Sequence, residues 1–351
     1  MSSQCGARTR KGRPCSKPRQ KNSNSCHLHV SPEDRSFRRA VIEAEQGDPI
    51  AQYNLGSCYK RGEGVAKDFK KAFEWYSKSA EQGNALAQYN LGVCYYYGHG
   101  VSRDFKKAVE WWEKAAKQGD PGAQYNIGYC YKQAKGVAKD FKKSFEWYTK
   151  AAEQGHSVAQ IHLGYCYEKG EGVAKDLKKA FKWYTKSAKQ GHSVAQYNLG
   201  YCYMKGKGVE KDLKKAFEWY TKSAKQGVAY AQSKLGYFYF NGQGVEKSLK
   251  KAVEWLEKAA EQGEKSSQEF ISNLLDCPTK LQDCGLNVGT LEESVKVLEE
   301  ELSAVNQGIL CTICMERPSN IAILPCGHAA VSAHYYNKLH RIVAAPTAEQ
   351  I

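Results

Sequence analysis

The fold is decided by residues 46–81, which read QGDPIAQYNLGSCYKRGEGVAKDFKKAFEWYSKSAE. The same 36-residue pattern starts again at residues 82, 118, 154, 190 and 226, so that six copies fill residues 46–261 without an insertion. A fixed period of this length is typical of repeat proteins, whose single units cannot bury their apolar faces alone and therefore stack. The sequence thus predicts one continuous array rather than several unrelated domains.

Each copy predicts a pair of helices. Ala51, Leu55 and Tyr59 fall on one face of a first helix, which ends at Gly62 because glycine disfavours helix continuation. Asp68 stands at the N-cap position of a second helix. The residues at helical spacing in this second helix, together with its closing glycine, are Phe69, Ala72, Phe73, Trp75, Tyr76, Ala80 and Gly83. Each copy is therefore a helix hairpin.

The shared residues carry a family resemblance. The pattern A-x-x-x-L-G-x-x-Y-x-x-G-x-G-V-x-x-D-x-x-K-A-x-x-W-x-x-K-x-A resembles the Sel1-like repeat and covers about three fifths of the chain. The resemblance implies a tetratricopeptide-like array that acts as an adaptor between proteins and is not an enzyme. We therefore predict an all-α fold, a right-handed α-solenoid of six helix hairpins flanked by two small cysteine-rich modules.

A comparison of the copies with one another separates two kinds of position. Positions that hold one residue in all six copies are expected to serve packing, and in the first copy they are Gln52, Gly56, Tyr59, Gly64, Val65, Lys71, Trp75, Ala80 and Gly83. A cysteine recurs in five copies and is replaced by Phe238 in the sixth, so we interpret it as a small buried apolar residue.

Positions that vary between copies are the candidates for recognition. On the first helices, the stripe away from the predicted packing face is rich in tyrosine: Tyr53, Tyr89, Tyr96, Tyr125, Tyr129, Tyr165, Tyr197, Tyr201 and Tyr237. If these helices line the concave side, as the resemblance implies, the tyrosines form a groove for an extended peptide. Partial packing of these rings between helices is the alternative, and the sequence leaves it open.

The second helices are strongly charged. Glu74 and Lys78 are spaced as an i, i+4 pair that recurs in the other copies, which predicts a solvated face crossed by ion pairs. A basic ridge that binds nucleic acid or an anionic membrane is the other interpretation. Residues 31–45 resemble a polar N-terminal capping helix, residues 262–287 a C-terminal cap and linker, and residues 288–308 a short coiled-coil-like helix.

The amino-terminal module, residues 1–30, holds seven Lys/Arg and no acidic residue. Cys5, Cys15, Cys26 and His29 are spaced as C-x9-C-x10-C-x2-H. Three thiolates and an imidazole are a natural tetrahedral set for Zn²⁺, and so short a segment needs a metal to fold. The pattern resembles a small zinc-binding module of viral and eukaryotic proteins. Its positive charge leaves nucleic acid as an alternative partner, although an aromatic platform for bases is missing.

Residues 309–330 resemble the first half of an inhibitor-of-apoptosis type RING finger. Cys311, Cys314, Cys326 and His328 match its first four zinc ligands, and Ile313 matches the position that contacts a ubiquitin-conjugating enzyme. A complete RING continues with four more ligands and holds its two zinc ions in a crossed arrangement. In this chain Ser332 and Tyr335 occupy places five and six and no cysteine follows Cys326, so each zinc would have two protein ligands.

Three interpretations of this terminus, including the atypical tail 331–351, remain open. The four ligands gather one zinc, or the finger is degenerate, or the residues from Val331 onward read through a retained intron, since Val-Ser can be encoded by GTNAGN. We expect an interaction scaffold with an incomplete ubiquitin-ligase module, in the cytoplasm or nucleus. The alternative is a nucleic-acid-associated zinc protein. No apolar run is long enough to span a membrane, and no nucleophile constellation or phosphate loop is present.

Overall fold

The computed structural model describes residues 32–275, and this range contains α-helices joined by short loops, with no strand. In chain order the helices are α1 (Pro32–Glu45), α2 (Pro49–Arg61), α3 (Phe69–Glu81), α4 (Ala85–Tyr97), α5 (Phe105–Lys117), α6 (Pro121–Gln133), α7 (Phe141–Glu153), α8 (Ser157–Lys169), α9 (Leu177–Lys189), α10 (Ser193–Lys205), α11 (Leu213–Lys225), α12 (Ala229–Asn241), α13 (Leu249–Glu261) and α14 (Lys265–Leu275). The even-numbered helices α2 to α12 are called the A helices below, and the odd-numbered helices α3 to α13 the B helices.

The all-α solenoid prediction is confirmed by six A–B hairpins that repeat along the chain. The described residues form two compact units, which divide between Trp183 and Tyr184 inside α9. In the first unit, each helix from α1 to α7 contacts the next one in the chain. In the second unit, the same succession of contacts runs from α10 to α14. Helices α1 and α14 pack against α2 and α13, respectively.

Side-chain caps fix where the helices begin. The Asp68 carboxylate accepts hydrogen bonds from the backbone N–H groups of Lys70 and Lys71, each at 3.0 Å, as its predicted N-cap role requires. At the other end of the A helices, Gly62 adopts a left-handed conformation with φ of 78°, and its N–H donates to Cys58 O. The helix lengths therefore follow from local sequence.

Two glycine positions permit close approach of backbones and rings. A Cβ atom at Gly92 would lie 2.5 Å from Trp112 Cδ1, and one at Gly56 would lie 2.8 Å from Tyr76 Cδ1, so the A and B helices of a hairpin meet at these glycines. Gly100 has φ of 74° and leaves no room for a Cβ atom beside the backbone of Phe69, in the preceding hairpin. The prediction that these invariant glycines serve packing is confirmed.

Buried glutamines join each hairpin to the one before it. The Gln88 side chain is 5% exposed, and its amide donates to Ala80 O at 3.1 Å, which lies in the last turn of α3. The Gln118 amide donates in turn to Gln88 Oε1 at 2.8 Å. The same pair of bonds recurs for Gln124 with Gln154, and for Gln232 with Gln262. At these carbonyl groups the glutamine amide is a second donor, beside a backbone N–H such as that of Gly83, which donates to Ala80 O at 3.0 Å.

We predict that Gln88→Leu lowers the free energy of unfolding by about 1–3 kcal/mol, because two buried hydrogen bonds, one to Ala80 O and one from the Gln118 amide, are lost while the side-chain volume is kept. The change is measured by urea unfolding of the full chain, followed by helical circular dichroism. Gln133→Leu, on the exposed end of α6, is the matched control and should change stability by about 0.5 kcal/mol or less. Equal effects of both substitutions would contradict a structural role for the Gln88 bonds.

Candidate functional site

All nine tyrosines predicted to form a groove lie at the boundary between core and solvent. The structure places them on the A helices, and every one is half-buried. They fall into three rows, each defined by one position of the A helix: Tyr53, Tyr89, Tyr125 and Tyr197 in the first, Tyr129, Tyr165, Tyr201 and Tyr237 in the second, and Tyr96 in the third. Six of them belong to the first unit and three to the second, and within each unit they are called the tyrosine face.

The first row of the tyrosine face also packs inside the hairpins. The ring centroids of Tyr53 and Tyr76 are 5.9 Å apart, and those of Tyr125 and Tyr148 are 5.8 Å apart. Each B-helix partner ring is completely buried, so one side of the A-helix ring belongs to the core. The alternative of packing between helices therefore applies to part of each of these rings, and the remaining part faces solvent.

Hydroxyl groups of the tyrosine face connect neighbouring hairpins of the first unit. Tyr125 OH lies 3.3 Å from His162 Nε2, and the Asn126 side chain lowers the pKa of Tyr89 against the larger, raising effect of burial. Both partners lie 37 residues further along the chain, at the same position of the next A helix. The hydroxyl contacts therefore form a ladder that follows the repeat.

Burial keeps this ladder uncharged. It raises the pKa of Tyr125 to about 12, with a smaller contribution from the neighbouring Tyr129. It lowers the pKa of His162 to about 4, and the positive charge of Lys132 acts in the same direction. The His162 ring stacks on Tyr148 with centroids 5.1 Å apart. Near neutral pH, this part of the face consists of neutral aromatic and imidazole groups.

Cations border the same face. Lys132 pairs with Glu171 at 2.8 Å, whereas Lys60 donates to Asn90 Oδ1 at 3.1 Å. The Lys135 ammonium donates to Tyr96 OH at 2.7 Å. Only one acidic residue, Glu168, occurs in the six A helices, against six basic residues: Lys60, Arg61, Lys132, Lys169, Lys205 and Lys234. The A-helix side of the repeats is therefore tyrosine-rich and positively charged.

In the second unit the last tyrosine of the face has a structural partner. Tyr237 OH donates to Ser266 O at 3.2 Å, and the Phe270 ring packs edge-on against the Tyr237 ring at 5.6 Å. Phe270 belongs to α14, which therefore covers part of the final A helix. By contrast, Tyr201 contacts the Lys207 ammonium, 4.7 Å from its ring centroid.

The B helices differ from the ion-paired face that the sequence predicts. Lys78 lies over the Trp75 indole at 4.1 Å from the ring centroid, and no ion pair joins Lys78 to Glu74 in the described residues. The same arrangement recurs for Lys114 with Trp111, Lys150 with Trp147, Lys222 with Trp219, and Lys258 with Trp255. The half-buried indole offers an apolar surface for the lysine stem and an attractive π face for its charge. The prediction of Glu–Lys pairs was wrong.

The invariant lysine of the B helices has a partner of the same kind. The Lys71 ammonium lies 5.3 Å from the centroid of the Tyr59 ring, and the equivalent pairs in the other hairpins lie at similar distances. In the described residues no disulfide involves the recurring cysteines, and Cys94, Cys130, Cys166 and Cys202 are buried. Burial raises the pKa of Cys94 to about 11, which suits the predicted apolar role.

The predicted metal ligands lie outside residues 32–275. They are Cys5, Cys15, Cys26, His29, Cys311, Cys314, Cys326 and His328, and Ile313 lies outside this range as well. Within residues 32–275 no group of His, Cys, Asp or Glu side chains is arranged to hold a metal ion. A search of the same range for helices long and apolar enough to cross a membrane finds none.

Sequence reasoning missed Lys135 and His162 as members of this site. Lys135 stands at a loop position that holds Glu63, His99 and Glu171 in other copies, and His162 replaces an asparagine that four copies share. The comparison of copies that identified the tyrosines would have found both residues. Their contacts with the next hairpin, however, are visible only in the folded stack.

We predict that stability gains a pH dependence from His162. Its folded pKa lies below the ordinary value of 6.5, so the unfolded chain binds more protons between about pH 6.5 and 4, and stability falls as pH drops through that window. Relative to His162→Asn, which copies the residue of four other repeats, the natural chain should lose about 2 kcal/mol between pH 7 and 5. Urea unfolding at both pH values measures this difference. Parallel losses in the two proteins would contradict the assignment.

Comparisons with known proteins agree with this geometry. The Sel1 repeat family model matches residues 49–84, 85–120, 121–156, 157–192, 193–228 and 229–264. The crystal structure of a Sel1 repeat protein from Oxalobacter formigenes is similar, with 38% identity, 68% of each chain covered and a TM-score of 0.62. A protective antigen of uropathogenic Escherichia coli strains that displays an SLR fold is also similar, with 35% identity and a TM-score of 0.65.

That second alignment covers 87% of this chain but only 63% of the antigen, so the chain spans less than two thirds of its length. Among curated proteins, no match is found.

Proposed function

Because the chain belongs to the Sel1 repeat family, we propose that its hairpins form a scaffold that binds a protein partner on the tyrosine face. The observation that carries this proposal is the contrast between the two sides of the repeats. B helices repeat the same lysine–tryptophan stacks, whereas the A helices present a tyrosine-rich surface whose residues differ from copy to copy. Half-buried tyrosines offer rigid apolar area and a hydroxyl group, a combination that is enriched at protein interfaces.

The second row of the tyrosine face is the part best suited to direct contact. The equivalent positions in the first two hairpins hold Ser57 and Val93, so the fold accepts small residues there. Tyr129 and Tyr165 thus add aromatic surface that the repeat itself does not require. The cations that border this face, such as Lys60, favour partners with negative charge.

We predict that Tyr129→Ser/Tyr165→Ser, which copies Ser57, weakens partner binding about tenfold or more, because truncation of interface tyrosines commonly costs more than about 1 kcal/mol each. The assay compares proteins retained from a cell extract by the immobilised natural chain and by the variant, with circular dichroism confirming equal helix content. Lys106→Ser/Lys142→Ser, on exposed B-helix positions, is the control and should retain the same proteins. Retention that depends on the B-helix lysines instead would contradict the proposal.

We further propose that the two terminal modules bind Zn²⁺. The support is the chemistry and spacing of the donors: three thiolates and one imidazole in residues 1–30, and Cys311, Cys314, Cys326 and His328 near the other end. A bound zinc would hold these short segments in a fixed conformation.

The resemblance of residues 309–330 to a RING finger supports a link to the ubiquitin pathway, in which Ile313 would contact a conjugating enzyme. The free thiols of the repeats suit the reducing cytoplasm or nucleus, which we propose as its location.

We predict that Cys5→Ser/Cys15→Ser removes about one zinc equivalent from the purified full chain, measured by elemental mass spectrometry. Cys58→Ala, which alters a half-buried free thiol of the first hairpin, is the control and should leave the zinc content unchanged.

We predict that the purified natural chain does not build ubiquitin chains when it is mixed with activating and conjugating enzymes, because each zinc of a RING would have only two of its four ligands. Chain formation that depends on Cys311 would show that the finger is functional as it stands.

The basic amino terminus supports a second candidate function, binding of nucleic acid. Seven Lys/Arg within 30 residues give a charge suited to a phosphate backbone. A salt titration separates the two candidates, because phosphate contacts weaken steeply with added salt and aromatic peptide contacts do not. We favour the protein scaffold, since the half-buried tyrosines of the A helices provide aromatic surface for a peptide, whereas residues 1–30 contain no Phe, Tyr or Trp for stacking bases.

A further inference from the structure

Helix α4 exposes two large apolar side chains at opposite ends of one face. Leu86 is 50% exposed and Tyr97 is 57% exposed. Asn90 and Val93 lie between them at i+4 and i+7 from Leu86, and both are half-buried. These four residues are called the α4 stripe. The position of Leu86 is also exposed in other copies, as Ile50 and Tyr230, whereas the exposed Tyr97 at the other end is particular to α4.

One cation from each neighbouring hairpin borders the α4 stripe. Lys60, at the end of α2, donates to Asn90 Oδ1 at 3.1 Å. Lys135, in the loop after α6, donates to Tyr96 OH at 2.7 Å. Asn90 and Tyr96 are six residues apart, which corresponds to about 9 Å along a helix axis. The stripe is therefore flanked by positive charge on both sides.

Neither of these two cations is neutralised. In the described residues, Lys60 contacts a neutral amide, and Lys135 contacts a phenol and aromatic rings, with no carboxylate at ion-pair distance of either ammonium. Nearby cations are already paired, Arg61 with Glu63 at 2.7 Å and Lys132 with Glu171 at 2.8 Å. The Asp120 carboxylate serves as the N-cap of α6, where it accepts a hydrogen bond from the Ala123 N–H. The electrostatic character of the stripe is therefore positive.

We propose that the α4 stripe binds an acidic amphipathic segment of a partner protein, whose apolar side chains pack on Leu86 and Tyr97 and whose carboxylates pair with Lys60 and Lys135. The inference rests on the proposed scaffold function and specifies the chemistry of the partner. Charge complementarity of this kind sets which partners associate and how fast. A basic segment would instead meet two unpaired ammonium groups, and the slot between Tyr96, Phe105 and Tyr129 is already filled by Lys135.

The test starts from a displayed library of random 12-residue peptides selected on the full chain. Selected peptides are synthesised with a fluorescent label, and their affinities are measured by anisotropy. The decisive variant is Lys60→Glu/Lys135→Glu. It is compatible with the fold because glutamate stands at the equivalent positions in other copies, as Glu168 for the first and Glu63 for the second.

The matched control carries the same change of net charge on the B helices. Lys117→Glu/Lys182→Glu alters two exposed residues, and glutamate occupies both equivalent positions in other copies, as Glu81 and Glu74. The comparison therefore separates a local effect of the stripe from an effect of total charge. Leu86→Ser tests the apolar half of the site.

We expect the selected peptides to be enriched in Asp and Glu and to bind Lys60→Glu/Lys135→Glu at least tenfold more weakly, with a change of less than twofold for the control. Leu86→Ser should weaken the same peptides several-fold. The inference is overturned by peptides without acidic enrichment, by equal binding to the natural chain and the double variant, or by equal losses in both charge variants.

Two further outcomes would also overturn the inference about the α4 stripe, and both can be told apart from a failure of the proposed scaffold function. If Tyr129→Ser/Tyr165→Ser abolishes binding of the selected peptides while the lysine variant does not, the scaffold function stands and the α4 stripe is not the site. If a 20-nucleotide poly(A) RNA displaces the peptides with a steep salt dependence, the stripe is a nucleic-acid site rather than an acidic-peptide site.

Discussion

The structure depends on buried glutamine side chains whose hydrogen bonds join each hairpin to the one before it. The A helices α4, α6, α10 and α12 each carry an invariant glutamine whose amide donates to the last turn of the preceding B helix, while its oxygen accepts from a glutamine at the end of its own B helix. A shift of register would break both buried hydrogen bonds of the glutamine, so the network tolerates little change in register. This constraint explains why the copies keep a period of 36 residues without insertion.

Because the glutamine contacts between hairpins are fixed, the solvent-facing residues of the A and B helices can change independently of them. On the B helices little varies, because Lys71 and Lys78 rest on Tyr59 and Trp75 in the first hairpin and on equivalent rings in others. On the A helices, half-exposed positions such as the one that holds Val93 and Tyr129 differ from copy to copy. Stability thus resides in the repeated contacts and recognition in the A-helix residues between them. The A-helix side combines neutral tyrosines with cations, and two of these cations, Lys60 and Lys135, lack an acidic partner.

Much of this arrangement could be predicted from sequence, because the repeat provides its own internal comparison. The Asp68 cap, the Gly56 contact and the buried cysteines follow from residue type and spacing. The partner of Lys78 could not be predicted from residue type and spacing, because both Glu74 and Trp75 are within reach of Lys78 on a helix. Only the half-buried position of the Trp75 indole decides between them. Contacts such as that between Tyr125 and His162 require the stacked hairpins, because 37 residues separate the partners. The zinc-ligand predictions lie outside residues 32–275 and stay predictions.

The central claim is that the A-helix side of the repeats, rather than the B-helix side, binds a protein partner. Hydroxyl-radical footprinting of the full chain, alone and in complex with a protein that it retains, tests this claim directly. The A-helix residues Tyr89, Tyr97 and Tyr125 and the B-helix residues Trp75, Trp111 and Trp147 report on the two sides. The account predicts that the partner slows oxidation of the tyrosines and leaves the tryptophans unchanged. Protection of the tryptophans with unchanged tyrosines would contradict it.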